Sequence, residues 1–171
     1  MANWCEFYIK IVGTKENCKL FERILQGKHE RCFHRVFNAW VEWEDQCTNH
    51  YHMELAGNCA WSVTCAMNHE MSYSDGPDSV TLQGLSAELC LEIEVYSKEP
   101  CVGFAEHYCF VNGEVRADEC VDYTEVYWDK DEHPTIAELN AEYGTNYSEA
   151  DFDDEGFFRE GGFDDRCCLA A

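Results

Sequence analysis

The sequence predicts an α+β fold built on an antiparallel sheet, with helices packed on one face of that sheet. Apolar and polar residues alternate over several segments of strand length, and apolar residues recur at helical spacing in three other segments. Hydrophobic residues make up 46% of the 171 residues. This is enough apolar material for one domain with its own core, extended by a short C-terminal segment.

The first segment predicts a strand followed by a helix. Residues 4–12 alternate in polarity, as expected of a strand. Thr14 is positioned to cap a helix that ends before Gly27. The apolar positions of this helix are Cys18, Phe21, Ile24 and Leu25.

Three strands are predicted next, over residues 35–44, 50–56 and 59–67, with Gly57-Asn58 interpreted as a turn. In the first of them, strict alternation predicts one face for Trp43 and the opposite face for Trp40. A second helix is predicted over residues 79–88.

The following segment predicts a hairpin and a last helix. Strands are predicted over residues 91–95 and 102–111, and Asn112-Gly113 is a strong hairpin signal before a returning strand that begins at residue 114. Thr135 and Glu138 have the spacing of a capping box. We expect a domain over residues 1–130, and a C-terminal helix with an acidic aromatic tail over residues 131–171.

This order of elements resembles a ferredoxin-like α+β sandwich with extra antiparallel strands, in which two helices pack on one face of the sheet. The chain also resembles the YubB-type ferredoxin-like domain family of phage and plasmid proteins over about residues 3–115. The resemblance rests on the segments Asn3-Trp4-Cys5, Gly57 to Val63, Leu85-Ser86-Ala87-Glu88-Leu89, Leu91 to Tyr96, Glu99 and Gly103-Phe104-Ala105. It implies a ferredoxin-like fold and an origin in a mobile element. It implies no catalytic residues.

Charge is the strongest functional signal in the sequence. The net charge is −22, yet residues 1–35 carry seven Lys/Arg against four Glu, a net +3 that leaves −25 for residues 36–171. Such a surface repels nucleic acid, nucleotides and anionic membranes, and it attracts basic surfaces. A Walker-type loop and a Gly-x-Gly-x-x-Gly motif are both absent from the sequence.

The twelve cysteines are expected to be free thiols in a cytoplasmic protein. The N-terminus has no apolar signal core, and no window approaches about 18 consecutive apolar residues. A metal site around His50 and His52, with Cys47, Cys59, Cys65 or His69, stays open as an alternative. A cysteine nucleophile at Cys109, two residues from His107 on one strand face and near Glu106 only in sequence, also stays open.

Two further candidate functions, carboxylate-pair chemistry and nucleic-acid binding, are less consistent with the acidic composition of the chain. Carboxylate pairs, such as Glu92 with Glu94, are unavoidable among 34 acidic residues and favour a solvated face. Aromatic side chains on the strands of a ferredoxin-like sheet could stack nucleic-acid bases, but the net charge opposes this function. The predicted alternative to a binding protein is therefore a metal-dependent or thiol enzyme that acts on a small molecule.

The favoured hypothesis is an acidic inhibitor that binds a basic nucleic-acid-binding groove of a host defence protein, as anti-CRISPR and anti-restriction proteins do. Its partner would be a basic protein such as a CRISPR effector or a restriction enzyme, with no catalytic residue, metal or cofactor involved. Carboxylates that alternate with aromatic anchors carry this prediction. The predicted contacts are Asp122, Tyr123, Glu125, Tyr127, Trp128, Asp129, Asp131, Glu132, Asp151, Asp153, Asp154, Glu155, Phe157 and Phe158.

Overall fold

A computed structural model describes residues 4–33, 35–47, 49–68, 80–99, 103–122, 128–143 and 146–152. These residues fall into two compact units, one within residues 1–123 and one within residues 124–167. Each unit has its own cluster of buried hydrophobic side chains. None of the helices in the described ranges is both long and apolar enough to cross a bilayer.

The first unit is built on a six-stranded antiparallel sheet, which confirms the predicted α+β class. The strands lie in the order β2-β3-β1-β4-β5-β6, so that β2 and β6 form the two edges. Their bounds are β1 Trp4–Gly13, β2 Val36–Gln46, β3 Tyr51–Ala60, β4 Glu92–Glu99, β5 Phe104–Val111 and β6 Glu114–Asp122.

Helices cover one face of this sheet. Residues of α1 (Lys15–Leu25), α2 (Val63–Met67) and α3 (Leu82–Leu89) share a single core with alternate residues of the central strands. The predicted cap of α1 is confirmed, because the Thr14 hydroxyl accepts a hydrogen bond of 3.2 Å from the backbone N–H of Asn17. Gly27 follows α1 with φ +65° and ends it as predicted.

The prediction of a turn at Gly57-Asn58 is wrong, since β3 runs through both residues. Gly57 lies directly opposite Phe7 of β1. A Cβ atom at this position would stand 2.5 Å from Cζ of Phe7 and 2.3 Å from the carbonyl oxygen of Asn38. Glycine is therefore used here for close packing within a strand.

The predicted strand over residues 59–67 is also wrong beyond Ala60. The chain turns at Trp61 with φ 73° and then forms the short helix α2. The Ser62 hydroxyl caps this helix by accepting a 3.0 Å hydrogen bond from the N–H of Cys65. Val63 and Met67 are four residues apart, so the same apolar run fits one buried face of a helix.

The predicted hairpin between β5 and β6 is confirmed. Asn112 and Gly113 both have positive φ, at 51° and 86°. This is the backbone conformation that two-residue hairpin turns require, and Asn-Gly is the sequence that adopts it at least cost. One register irregularity precedes the turn, between Cys109 and Phe110 of β5.

The second unit contains α4 (Ile136–Tyr143) and a short 3₁₀ helix (Glu149–Asp151). The predicted capping box is confirmed: the Thr135 hydroxyl accepts from the N–H of Glu138 at 3.4 Å, and Glu138 accepts from the N–H of Thr135 at 3.0 Å. The buried hydrophobic residues described in this unit are Trp128, Leu139 and Phe152. The acidic stretch after residue 152 lies outside the described residues.

Candidate functional site

The sheet face opposite the helices carries a row of side chains that crosses all six strands. Residues that face each other across neighbouring strands project from the same face. Successive pairs in the register therefore define the row, which consists of Trp40, Ala56, Tyr8, Tyr96, His107 and Glu119 in the order β2, β3, β1, β4, β5, β6.

The β2 end of this face exposes large aromatic side chains. The exposed fractions are 44% for Trp40, 48% for Trp43, 51% for Phe37 and 59% for Trp4. The rings of Trp4 and Phe37 pack together with centroids 5.5 Å apart. We call these four side chains the tryptophan face. Exposed aromatic area of this kind marks an interaction surface more often than it marks a solvated one.

A β-bulge brings Trp40 and Trp43 to the same face. The register of β2 against β3 shifts between Val41 and Trp43, so that Trp40 lies opposite Ala56 and Trp43 lies opposite Glu54. Strict alternation would have placed these two side chains on opposite faces, and that prediction is wrong. The extra residue is Glu42, which the bulge leaves outside the regular pairing.

Carboxylates surround the tryptophan face. The indole N–H of Trp40 donates a hydrogen bond to Glu42, and the hydroxyl of Tyr8 donates one to Glu54. Asp45 is exposed and lies opposite His52. An aromatic ring face attracts cations through its quadrupole, and a carboxylate attracts them through its charge. The aromatic rings and the carboxylates of this surface therefore both favour a cationic ligand.

The β4–β5 part of the same face is buried and polar. Glu94 is fully buried, and its Oε1 accepts a 2.6 Å hydrogen bond from the Tyr96 hydroxyl and lies 3.1 Å from Nε2 of His107. The Tyr96 and His107 rings stack at 4.6 Å, only 1° from parallel. Nδ1 of His107 lies 3.9 Å from a carboxylate oxygen of Glu119. This arrangement fixes the imidazole ring between two carboxylates.

This geometry identifies the carboxylate that contacts His107. Glu106 lies on the helix-covered face, opposite Ser97, so it cannot orient His107. The carboxylate beside His107 is that of Glu94, which faces Cys109 in the strand register. Sequence reasoning paired Glu94 with Glu92 and missed its contact with His107, because only the β4–β5 register brings them together.

Glu106 has a structural environment on the helix-covered face. Its side chain accepts hydrogen bonds from the backbone N–H groups of Val63 and Thr64, at 2.8 and 3.2 Å. It also accepts from the hydroxyls of Thr64, Ser97 and Tyr108, at 2.6, 2.8 and 3.2 Å. Five donors therefore converge on one buried carboxylate, which joins β5 to the start of α2.

The nine cysteines in the described residues are not joined in disulfide bonds. Burial raises the pKa of the Cys18 thiol to about 12, which keeps it protonated. Cys5 and Cys59 lie opposite each other on β1 and β3. The interaction between these two thiols lowers the pKa of Cys5 and raises that of Cys59.

The metal hypothesis drew on residues that the structure separates. His52 lies on the sheet face opposite the helices, whereas Cys59 points into the helix-covered core. Cys65 lies in α2, and His69 lies outside the described residues. Among the described residues, no three His, Cys, Asp or Glu side chains come close enough to share a metal ion.

One basic residue of α1, Lys19, is already paired with carboxylates. Nζ of Lys19 lies 3.0 Å from Glu22 and 2.5 Å from Glu44 of β2. Partial burial of Lys19 opposes its charge, but the hydrogen bonds to Glu44 and Glu22 dominate and raise its pKa. Its charge is already compensated within the chain.

The predicted partner contacts have different positions in the structure. Asp131 and Glu132 are exposed, Asp129 is half-buried, Asp122 ends β6 and Asp151 lies in the 3₁₀ helix. The residues outside the described ranges are Tyr123, Glu125, Tyr127, Asp153, Asp154, Glu155, Phe157 and Phe158.

The prediction that Trp128 is an aromatic anchor for a partner is wrong, because its side chain is only 7% exposed. Its indole N–H donates a 2.7 Å hydrogen bond to the carbonyl of His133, and its ring packs against Phe152 at 5.7 Å. Trp128 therefore stabilises the second unit and does not present an anchoring surface. The hydrophobic stripe of α4 supplies the partners that bury it.

Comparisons with protein-family models, with curated proteins and with solved structures find no match to this chain.

Proposed function

We propose that this protein is an acidic inhibitor encoded by a mobile element, which binds the basic nucleic-acid-binding groove of a host defence protein. The single observation that carries the proposal is the net charge of −22 on a chain of 171 residues. The partner would be a CRISPR effector or a restriction enzyme in the host cytosol. The protein would act by binding alone.

The mechanism is competition between carboxylates and phosphates. A groove that binds nucleic acid is lined with Lys and Arg, and it gains affinity by neutralising phosphates. Carboxylates on a folded surface offer the same sign of charge without the nucleic acid. Asp131 and Glu132 of the second unit are exposed and available for this role.

We further propose that residues up to β4 adopt a ferredoxin-like arrangement. The chain order β1-α1-β2-β3-α3-β4, together with the sheet order β2-β3-β1-β4, supports this assignment. In it, α2 is an insertion before α3, while β5 and β6 extend the sheet. The resemblance to the YubB-type family of phage and plasmid proteins supports an origin in a mobile element.

A competition experiment tests the function. Purified CRISPR effectors and restriction enzymes are each loaded with a fluorescent DNA or RNA ligand, and the full chain is titrated into each complex. We expect fluorescence anisotropy to fall for at least one complex, as the ligand is displaced. Bovine serum albumin, another acidic protein, serves as the control for nonspecific charge. Failure to displace ligand from any of them, or equal displacement by albumin, would contradict the proposal.

A further inference from the structure

We propose that the tryptophan face, formed by Trp4, Phe37, Trp40 and Trp43, binds an arginine- or lysine-bearing segment of the basic partner. This inference rests on the proposed function and adds to it a second contact surface, remote in sequence from the contacts predicted between residues 122 and 158. It also names the chemistry of the partner groups, which are guanidinium and ammonium side chains held over indole rings.

The position of the surface makes it accessible. The strand β2 is an edge of the sheet, so no strand of the sheet pairs with its outer side. The bulge at Glu42 turns both Trp40 and Trp43 to the face opposite the helices, where each remains nearly half exposed. Two indoles on one face create an apolar platform that the core of this unit does not use.

The charge around the platform selects the ligand. Glu42 accepts from the Trp40 indole, Glu54 lies opposite Trp43, and Asp45 is exposed two residues further along β2. Lys10 lies on the same face, opposite Glu54. Carboxylates next to an aromatic platform repel the phosphates of nucleic acid and hold the cation that stacks on the ring.

The chain already contains cations placed over tryptophan rings. The guanidinium of Arg35 lies 5.5 Å from the Trp61 ring, and Nζ of Lys130 lies 4.9 Å from the Trp128 ring. The tryptophan face offers the same kind of ring to a partner, with carboxylates added. Arginine fits best, because its planar guanidinium can stack on an indole while it donates hydrogen bonds to a carboxylate.

The test uses a short synthetic peptide of alternating arginine and serine, labelled with fluorescein, and measures its anisotropy with the full chain. Trp40→Ala combined with Trp43→Ala should weaken binding by at least about tenfold, as expected for aromatic anchors. Glu42→Gln combined with Asp45→Asn, which preserves side-chain shape, should weaken it by at least about threefold through lost charge. A peptide with glutamine in place of arginine should not bind.

The matched control removes the same number of charges from the opposite edge strand. Asp118→Asn combined with Glu114→Gln, at two exposed positions of β6, should leave peptide binding within about twofold of the original. Circular dichroism and thermal unfolding of every variant establish that the fold is intact. A loss confined to the β2 variants supports the tryptophan face as the binding surface.

Other results overturn the inference. One is an equal loss of peptide affinity in the β2 and β6 variants. Another is a variant without Trp40 and Trp43 that binds the peptide as tightly as the unsubstituted chain does. A third is a chain that binds a single-stranded oligonucleotide more tightly than it binds the peptide. Sedimentation showing a dimer that only the tryptophan variant dissociates would assign the face to a second copy of the chain. Each of these leaves the proposed function standing if the full chain still displaces nucleic acid from its target.

Discussion

At the scale of single residues, the structure distinguishes buried groups that hold the fold from exposed groups that are free to bind. Glu106 is the clearest buried group, since five donors from β4, β5 and α2 converge on its carboxylate. Trp40 and Trp43 are exposed groups, with exposed fractions of 44% and 48%. A carboxylate such as that of Glu106 is therefore a structural contact, whereas these two indoles remain accessible at the surface.

Replacement of Glu106 by glutamine tests its structural role. The amide NH₂ of glutamine would face donors in place of a carboxylate oxygen, so at least one buried donor would lose its acceptor. We expect the free energy of unfolding in urea to fall by about 3 kcal/mol.

The matched control is Glu30→Gln, the same chemical change at an exposed position between α1 and β2. It should alter the free energy of unfolding by less than about 0.5 kcal/mol. Equal stability of the two variants would show that the five hydrogen bonds of Glu106 contribute nothing net.

At the scale of elements, most strands and helices could be predicted because each depends on local signals. Thr14, Gly27, Asn112-Gly113 and the Thr135–Glu138 pair all function as the sequence predicted. The wrong predictions of secondary structure occurred where contacts with residues distant in the sequence determine the local conformation. Gly57 looked like a turn residue, but its missing side chain accommodates Phe7, which is 50 positions earlier in the chain.

The candidate site was less predictable than the fold, for a related reason. A bulge in β2 changes which face Trp43 occupies, and nothing in the local alternation of residues 36–46 signals it. The Glu94–His107 contact likewise depends on the register of β4 against β5. Sequence patterns predict the faces of a regular strand, but a bulge or a register is set by pairing with a neighbour.

The hairpin turn between β5 and β6 gives a prediction at this scale. Gly113 has φ +86°, and a Cβ there would lie 2.6 Å from Cβ of Ala87 in α3. Gly113→Ala should therefore lower the free energy of unfolding by about 2 kcal/mol, through backbone strain and crowding against α3.

Asn112→Gly is the control, because glycine also adopts the positive φ of that position. It should change stability by less than about 0.5 kcal/mol. Urea denaturation of both variants measures the difference, and a Gly113→Ala variant as stable as the control would refute the close contact between the turn and α3.

At the scale of the whole molecule, charge and exposed aromatic area point to the same class of partner. The net charge of −22 disfavours phosphate ligands, and the tryptophan face adds an exposed surface on which we propose that cations stack. The one cluster of lysines and arginines in the sequence, in residues 1–35, includes Lys19, which two glutamates already bind. We therefore propose a basic protein as the partner.

The salt dependence of affinity tests this central claim most directly. The affinity of the full chain for the nucleic-acid-binding protein whose ligand it displaces is measured by calorimetry between about 50 and 500 mM NaCl, a range over which screening becomes strong. We predict that affinity falls by at least about tenfold across this range, because opposite charges supply much of the attraction. An affinity that stays constant as salt rises would contradict the account.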